Sequence, residues 1–266
     1  VRSMGIGMYF KIPQVTPGAI KVWRRNKDVF MKNVKLNFLP PFIEPLLYLF
    51  AMGFGLGLFI EEIDGVPYAQ FIAPALISVS VMYGAFFECS YGSYVRMYYQ
   101  KTFDSIIATP LSIEDVIIGE LLWGATRSTI SATLMLPVIA LFGLISFPHS
   151  LLVIPFAFLA GLLFACLGMT IAAVTPNIMS INYPILLFIT PMFLFSGTFF
   201  PLDVLPEIIQ YVALAILPLT HVVIIIRALT FGAPGLFLLG NLLWIVVVCA
   251  IGFVISVNMM KKRLVV

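Results

Sequence analysis

The chain has 266 residues, 61% of them hydrophobic and only 10% charged, with a net charge of +3 and a mean hydropathy of +1.09. A water-soluble domain carries about a quarter of its residues as charges, so this composition excludes one and indicates an all-α polytopic membrane protein. Each span takes about 20 residues and the loops are short, so residues 1–266 form one bundle with no separate soluble domain.

Arg2 and Lys11 precede no apolar run before Thr16, so no cleavable signal peptide is expected. Thr16 to Lys35 reads as an amphipathic helix, capped by Thr16 with Pro17 in its first position. Ile20, Trp23, Phe30, Met31 and Val34 share one face, and Lys21, Arg24, Arg25, Lys32 and Lys35 line the others. Such a helix lies in the membrane interface with its basic chains snorkelling. A first span follows at 39–60, broken early by Pro40, Pro41 and Pro45, with Glu44 near enough to the interface to snorkel. Glu61, Glu62 and Asp64 come next, without Lys or Arg.

A second span is predicted at 71–94, and a polar island, RMYYQKTFDSIIATPLSIED, runs from Arg96 to Asp115. Within it Phe103, Ile106 and Ile107 fall at i, i+3 and i+4 while Lys101, Asp104 and Ser105 point elsewhere, the pattern of a short amphipathic helix. Thr109-Pro110 ends that helix, and Ser112 with Asp115 forms a capping box that opens the next. Further spans are predicted at 117–142, 151–174, 181–199 and 236–257. Between the last two, Pro201, Pro206 and Pro218 divide an apolar stretch into two short helices, read as a half-inserted hairpin within 200–234.

Lys261, Lys262 and Arg263 after the last span place the C-terminus in the cytoplasm with the N-terminus, which requires an even number of spans. Six spans and an external re-entrant hairpin satisfy this, and put the island with Arg96 and Lys101 inside. Arg227 is then the basic residue stranded outside.

No Gly-Lys pair occurs in the chain, so it has no phosphate-cradling loop and no nucleotide hydrolysis of its own is expected. His149 and His221 lack an acid at ligand spacing, and Cys89, Cys166 and Cys249 sit singly in apolar runs, so neither a metal nor a disulfide is expected. No catalytic residue is predicted, and a nucleic-acid partner is not expected.

Intramembrane charges remain as functional candidates. Glu88 lies eight residues before Arg96 and Arg127 seven after Glu120, at similar depths on antiparallel helices, so a Glu88–Arg127 pair is possible, with Trp123 placed for a cation–π contact to Arg127. The pair reads either as a lock on helix register or as part of a translocation pathway. Phe193, Phe195, Phe199 and Phe200 crowd the end of the fifth span, as an aromatic belt or an external hydrophobic gate.

The island, from RMYYQKTFDSIIATPLSIEDVIIGE, together with WRRN at Trp23 to Asn26, FIAPALISVSVMYGAFFE ending at Glu88 and SGTFFPLDVLP from Ser196, resembles permeases of the type-2 ABC exporter family. The likeness is greatest to its NodJ-like branch, the membrane partners of lipo-oligosaccharide exporters. The resemblance implies a homodimer in the inner or plasma membrane, served by two copies of a separate ATPase subunit that binds the ATP and magnesium. No cofactor would sit on this chain. It also implies that Gln100, Lys101, Thr102, Phe103, Asp104, Ile106 and Ile107, within a 96–112 loop, form the coupling helix that docks on the ATPase. An amphiphilic substrate such as a lipid-linked saccharide is implied. The ATPLS segment at Ala108 to Ser112 is similar to drug-efflux relatives as well, so efflux is the alternative, and a membrane-embedded transferase a distant one.

Overall fold

The computed structural model describes residues 12–32, 43, 46–60, 62–63, 65–232 and 235–265. Val34, Lys35, the prolines at 40, 41, 45 and 234, and the acids Glu44, Glu61 and Asp64 lie outside the described residues, as does the start of the first predicted span. Helices in chain order are α1 (Gly18–Lys32), α2 (Leu46–Leu58, largely a π-helix over Leu49–Gly55), α3 (Tyr68–Tyr98), α4 (Thr102–Ile107) and α5 (Ile113–Leu141). They continue as α6 (His149–Val174), α7 (Ile178–Phe195), α8 (Glu207–Ile216), α9 (Pro218–Phe231) and α10 (Phe237–Val265). Among the described residues the only strands are β1 (Glu62–Ile63) and β2 (Val66–Pro67), a small antiparallel hairpin leading into α3.

Five of these helices, α3, α5, α6, α7 and α10, are long and apolar enough to cross a membrane, and α2 is the described part of the first predicted span. In α3 the most apolar stretch is 83% buried, whereas in α10 it is 11% buried, so α3 runs through the middle of the bundle and α10 along its edge. The helices α3, α5 and α6 pack on one another as the centre, with α10 against α6 and α9 against α3. Small residues permit this closeness: a Cβ on Gly168 would lie 2.6 Å from the carbonyl oxygen of Phe86, and one on Gly124 2.5 Å from the sulfur of Cys89. Where lipid is as apolar as the side chains, such close van der Waals packing replaces the hydrophobic effect as the force between helices.

The stretch from Pro201 to Phe231 forms two short helices, as its prolines predict, and α8 meets α9 at 89°. His221 pins that bend: its ring stacks on Trp244 of α10 at 4.1 Å, and its nitrogens lie 2.9 Å from the carbonyl oxygen of Leu214 and 2.7 Å from Asn241 Oδ1.

Both ends of the described chain meet at one end of the bundle. The Glu114 carboxylate accepts from the Gln14 backbone amide at 2.6 Å and from Lys261 Nζ at 2.5 Å. Arg263 donates to the carbonyls of Ala172 and Thr175 at the end of α6, with its guanidinium 5.3 Å from the rings of Tyr94 and Tyr98.

The amphipathic helix differs from the predicted one in rotation. Its buried stripe is Ala19, Val22, Asn26 and Phe30, with Ile20 and Met31 more than half exposed. It lies directly on α5, where a Cβ on Gly119 would stand 2.5 Å from that of Val22, and Trp23 donates to Thr126 at 2.9 Å. The reason is Gly119, whose missing side chain opens a groove on α5 that admits Ala19 and Val22 and so fixes which side of α1 is buried.

Candidate functional site

A charge network at the end of the bundle where Gln14 and Lys261 meet Glu114 is built from three helices. On α3 the residues Glu88–Gly92 form a π turn. A regular helix sets residues eight apart about 80° round its axis, and the wider turn takes up much of that rotation. Glu88 and Arg96 therefore share a face, and Arg96 Nη1 donates to Glu88 Oε1 at 2.8 Å. On α5 the predicted capping box is present, Ser112 and Asp115 bonding reciprocally, with Thr16 also donating to Asp115. That cap sets the register that turns Glu120 inward.

Glu120 is 0% exposed and saturated: Arg96 lies 2.5 Å away, Ser93 donates at 2.9 Å and Asn26 of α1 at 2.7 Å. A buried carboxylate persists only when it is paired and hydrogen-bonded in this manner. Arg127 reaches the same cluster, its Nε 3.5 Å from Glu88 Oε2 and its guanidinium 4.6 Å from the centre of the Phe30 ring. Trp123 donates its indole N–H to Glu88 at 3.1 Å and packs edge-on against Phe30 at 5.5 Å. The ring under Arg127 is thus Phe30, and Trp123 serves the carboxylate. Arg25 completes the cluster, donating to Asn26 Oδ1 at 3.0 Å. Burial lowers its pKa from the ordinary arginine value, with the Glu120 charge opposing and the Arg96 charge adding to that shift.

All of these groups except Glu120 and Ser93 line a cavity of about 370 Å³ between α1 and the end of α3. Arg96, which the predicted topology sets on the cytoplasmic side, turns back into the bundle with its side chain 15% exposed. The pair of Glu88 and Arg127 is one limb of a larger cluster whose centre is Arg96 and Glu120. Glu120 and Asn26 were legible only as an acid near a span end and as one letter of WRRN; for Glu120 the available signal is an acid inside an apolar helix.

The predicted coupling residues divide. Phe103 is fully buried and Thr102 nearly so, with Ile106 and Ile107 packed against the same core. Gln100, Lys101 and Asp104 are exposed, with Ser105, Ala108 and Thr109 beside them. The apolar face of α4 therefore seats the helix on its own bundle, and Phe103 cannot be part of a surface offered to another protein. Lys101 adopts φ 52°, the tight left-handed corner that swings α4 away from α3.

At the other end of the bundle, Phe193 and Phe199 meet at 4.9 Å, with Tyr48 5.8 Å and Tyr83 6.1 Å from Phe193. Phe195 is exposed and Phe200 half-buried. Arg227 lies beside this cluster, donating to the carbonyl oxygen of Gly197 at 2.9 Å with its guanidinium 3.9 Å over the Phe71 ring.

A helical bundle with several helices long and apolar enough to cross a membrane is a multi-pass membrane protein. Residues 19–231 match the ABC-2 type transporter family, and the chain belongs to it. It is 34% identical over 245 residues to Nodulation protein J of Sinorhizobium fredii, covering 92% of this chain and 93% of that one. With Nodulation protein J of Rhizobium leguminosarum bv. viciae it shares 35% over 249 residues, 92% and 94% of the two chains. The Inner membrane transport permease YadH of Escherichia coli is 24% identical over 216 residues, 81% of this chain and 82% of its own.

Proposed function

We propose that this chain is the membrane subunit of an ATP-driven exporter that moves a lipid-linked saccharide, or a similar amphiphile, from the cytoplasmic to the outer side of the membrane. The observation that carries this reading is the likeness to Nodulation protein J along nearly the whole length of both chains. Both termini face the cytoplasm, in keeping with the basic residues gathered there and with the shared Glu114 contact. Hydrolysis belongs to a separate ATPase carrying ATP and magnesium, two copies of which serve a homodimer of this chain. The docking surface is the exposed side of α4, Gln100, Lys101, Asp104 and Ser105, beside a cleft of about 300 Å³ shared with Lys21 and Arg25 of α1. Glu88 and Arg127 stand on the inner part of the route, and Phe193, Phe195, Phe199 and Phe200 at its outer end. Few charges face the spans, which suits a cargo whose acyl tail stays in lipid while its head crosses.

The test is affinity purification of the tagged chain from its native membrane, followed by reconstitution in vesicles. An ATPase subunit should co-purify, and a glycolipid should stimulate hydrolysis and cross the bilayer. If hydrophobic drugs alone do both, the saccharide is wrong and efflux is the function; if no ATPase accompanies the chain, the exporter reading fails.

A further inference from the structure

Two of the basic residues at the end of α10 make contacts that a topology signal does not require. Such a signal needs only charge kept on one side of the membrane, with the side chains snorkelling toward headgroups. Arg263 instead turns inward. It donates to the carbonyl oxygens of Ala172 and, at 2.6 Å, of Thr175, where α6 ends and its last carbonyls have no amide of their own helix to accept from. Its guanidinium lies 5.3 Å from the rings of both Tyr94 and Tyr98, which stack on each other at 5.0 Å in the last turns of α3. Tyr94 also donates to the carbonyl oxygen of Pro176 at 3.0 Å, so the ends of α3, α6 and α10 are tied together at this point. Lys261 stands two positions before Arg263, about 200° round the helix axis, and so leaves α10 on the opposite side. It reaches Glu114 at 2.5 Å, in the first turn of α5 beside the Ser112–Asp115 cap.

These two places are the roots of α4. The chain leaves α3 at Tyr98, turns the left-handed corner at Lys101, runs as α4 for six residues and re-enters the bundle at Ser112. A helix needs roughly 12 to 15 residues to hold itself in water. The position of α4 therefore depends on the seat of Phe103 and on how firmly its two roots are held.

We propose that Lys261 and Arg263 are positioning residues for α4: the end of α10 braces both roots of that helix, so a displacement of α4 is carried into α10 as well as into α3 and α5. That α4 is the helix which receives an ATPase rests on the function proposed above; the brace itself does not.

Hydrogen–deuterium exchange of the purified protein in detergent, read by mass spectrometry, tests it. The amides of Ser105, Ala108 and Thr109 bond to the carbonyls of Lys101, Asp104 and Ile106 and report the opening of α4. Arg263→Gln and Lys261→Gln should each speed their exchange roughly tenfold, the loss expected for one charge-assisted partner, while α9 exchanges as in wild type. Each is an independent variant should the other fold poorly. Lys261→Arg, which keeps the pair with Glu114, and Arg24→Gln, the same loss of charge on the exposed side of α1, should leave α4 at the wild-type rate. Coupling between two places is reciprocal, so Phe103→Leu, which loosens α4 from its seat without touching a charge, should speed exchange within 258–264. Wild-type exchange at α4 in both glutamine variants, a rise spread equally over the whole bundle, or an unchanged 258–264 in Phe103→Leu would overturn the brace. Neither ATP nor a partner protein enters the measurement, so a failure here leaves the exporter reading standing, and a chain that brings no ATPase with it leaves the brace intact.

Discussion

Removing the carboxylate of Glu120 should be the most damaging single change at the charge network. Glu120→Ala takes the 2.5 Å partner from Arg96, leaving it only Glu88, and strips the acceptor from Asn26 and Ser93 in the same fully buried space. Breaking a buried ion pair from one side costs about 3 to 5 kcal/mol, whereas a neutral hydrogen bond between membrane helices averages about 0.6. Arg96 keeps one carboxylate, so the expected loss is about 3 kcal/mol for Glu120→Ala and about 1 kcal/mol for Asn26→Ala. The three cysteines are all buried, so a thiol-reactive fluorophore reports thermal unfolding of the purified protein in detergent. At about 2 to 4 °C per kcal/mol, Glu120→Ala should melt roughly 10 °C below wild type. Arg96→Ala combined with Glu120→Ala should cost clearly less than the sum of the two, because the double variant leaves no charge unpaired at the centre. Additive losses, or a Glu120→Ala melting curve that overlays wild type, would refute the view that these groups form one unit.

The Glu88–Arg127 limb is longer and more exposed, 3.5 Å with both side chains 15% accessible, so a double-mutant cycle should return a coupling of about 1 kcal/mol, below that of Arg96 and Glu120. Phe103→Ala should cost about 3 to 5 kcal/mol in the same melting assay because the ring is fully buried, and Phe103→Asp should not accumulate in the membrane. Lys101→Glu combined with Asp104→Lys reverses exposed charges and should leave the melting temperature unchanged while lowering transport per ATP hydrolysed in reconstituted vesicles; unchanged coupling would remove α4 from the docking surface. Gly119→Val would set a Cβ 2.5 Å from that of Val22 and should cost about 1 to 3 kcal/mol by lifting α1 off α5, read as new protease sensitivity within 18–32.

Composition and hydropathy alone determined the all-α membrane class and the positions of the long spans. Local chemistry determined the Ser112–Asp115 capping box and the proline-divided helices α8 and α9. These are properties a residue carries with it or shares with neighbours three or four positions away. The rotation of each helix was decided only in the tertiary structure. In water a polar face marks the outside, but a span is apolar toward lipid and toward its neighbours alike, so periodicity does not say which side packs. In α1, which is amphipathic and not a span, it is the groove at Gly119 that selects the stripe Ala19, Val22, Asn26 and Phe30 and leaves Ile20 and Met31 exposed. The apolar side of α4 was legible, but not that it seats on its own bundle, with Phe103 buried, instead of on a partner. Glu88 and Arg96 come together through a π turn, a backbone choice with no side-chain signature. Asn26 and Glu120 meet across 94 residues of chain, a contact made only when α1 settles into the groove at Gly119.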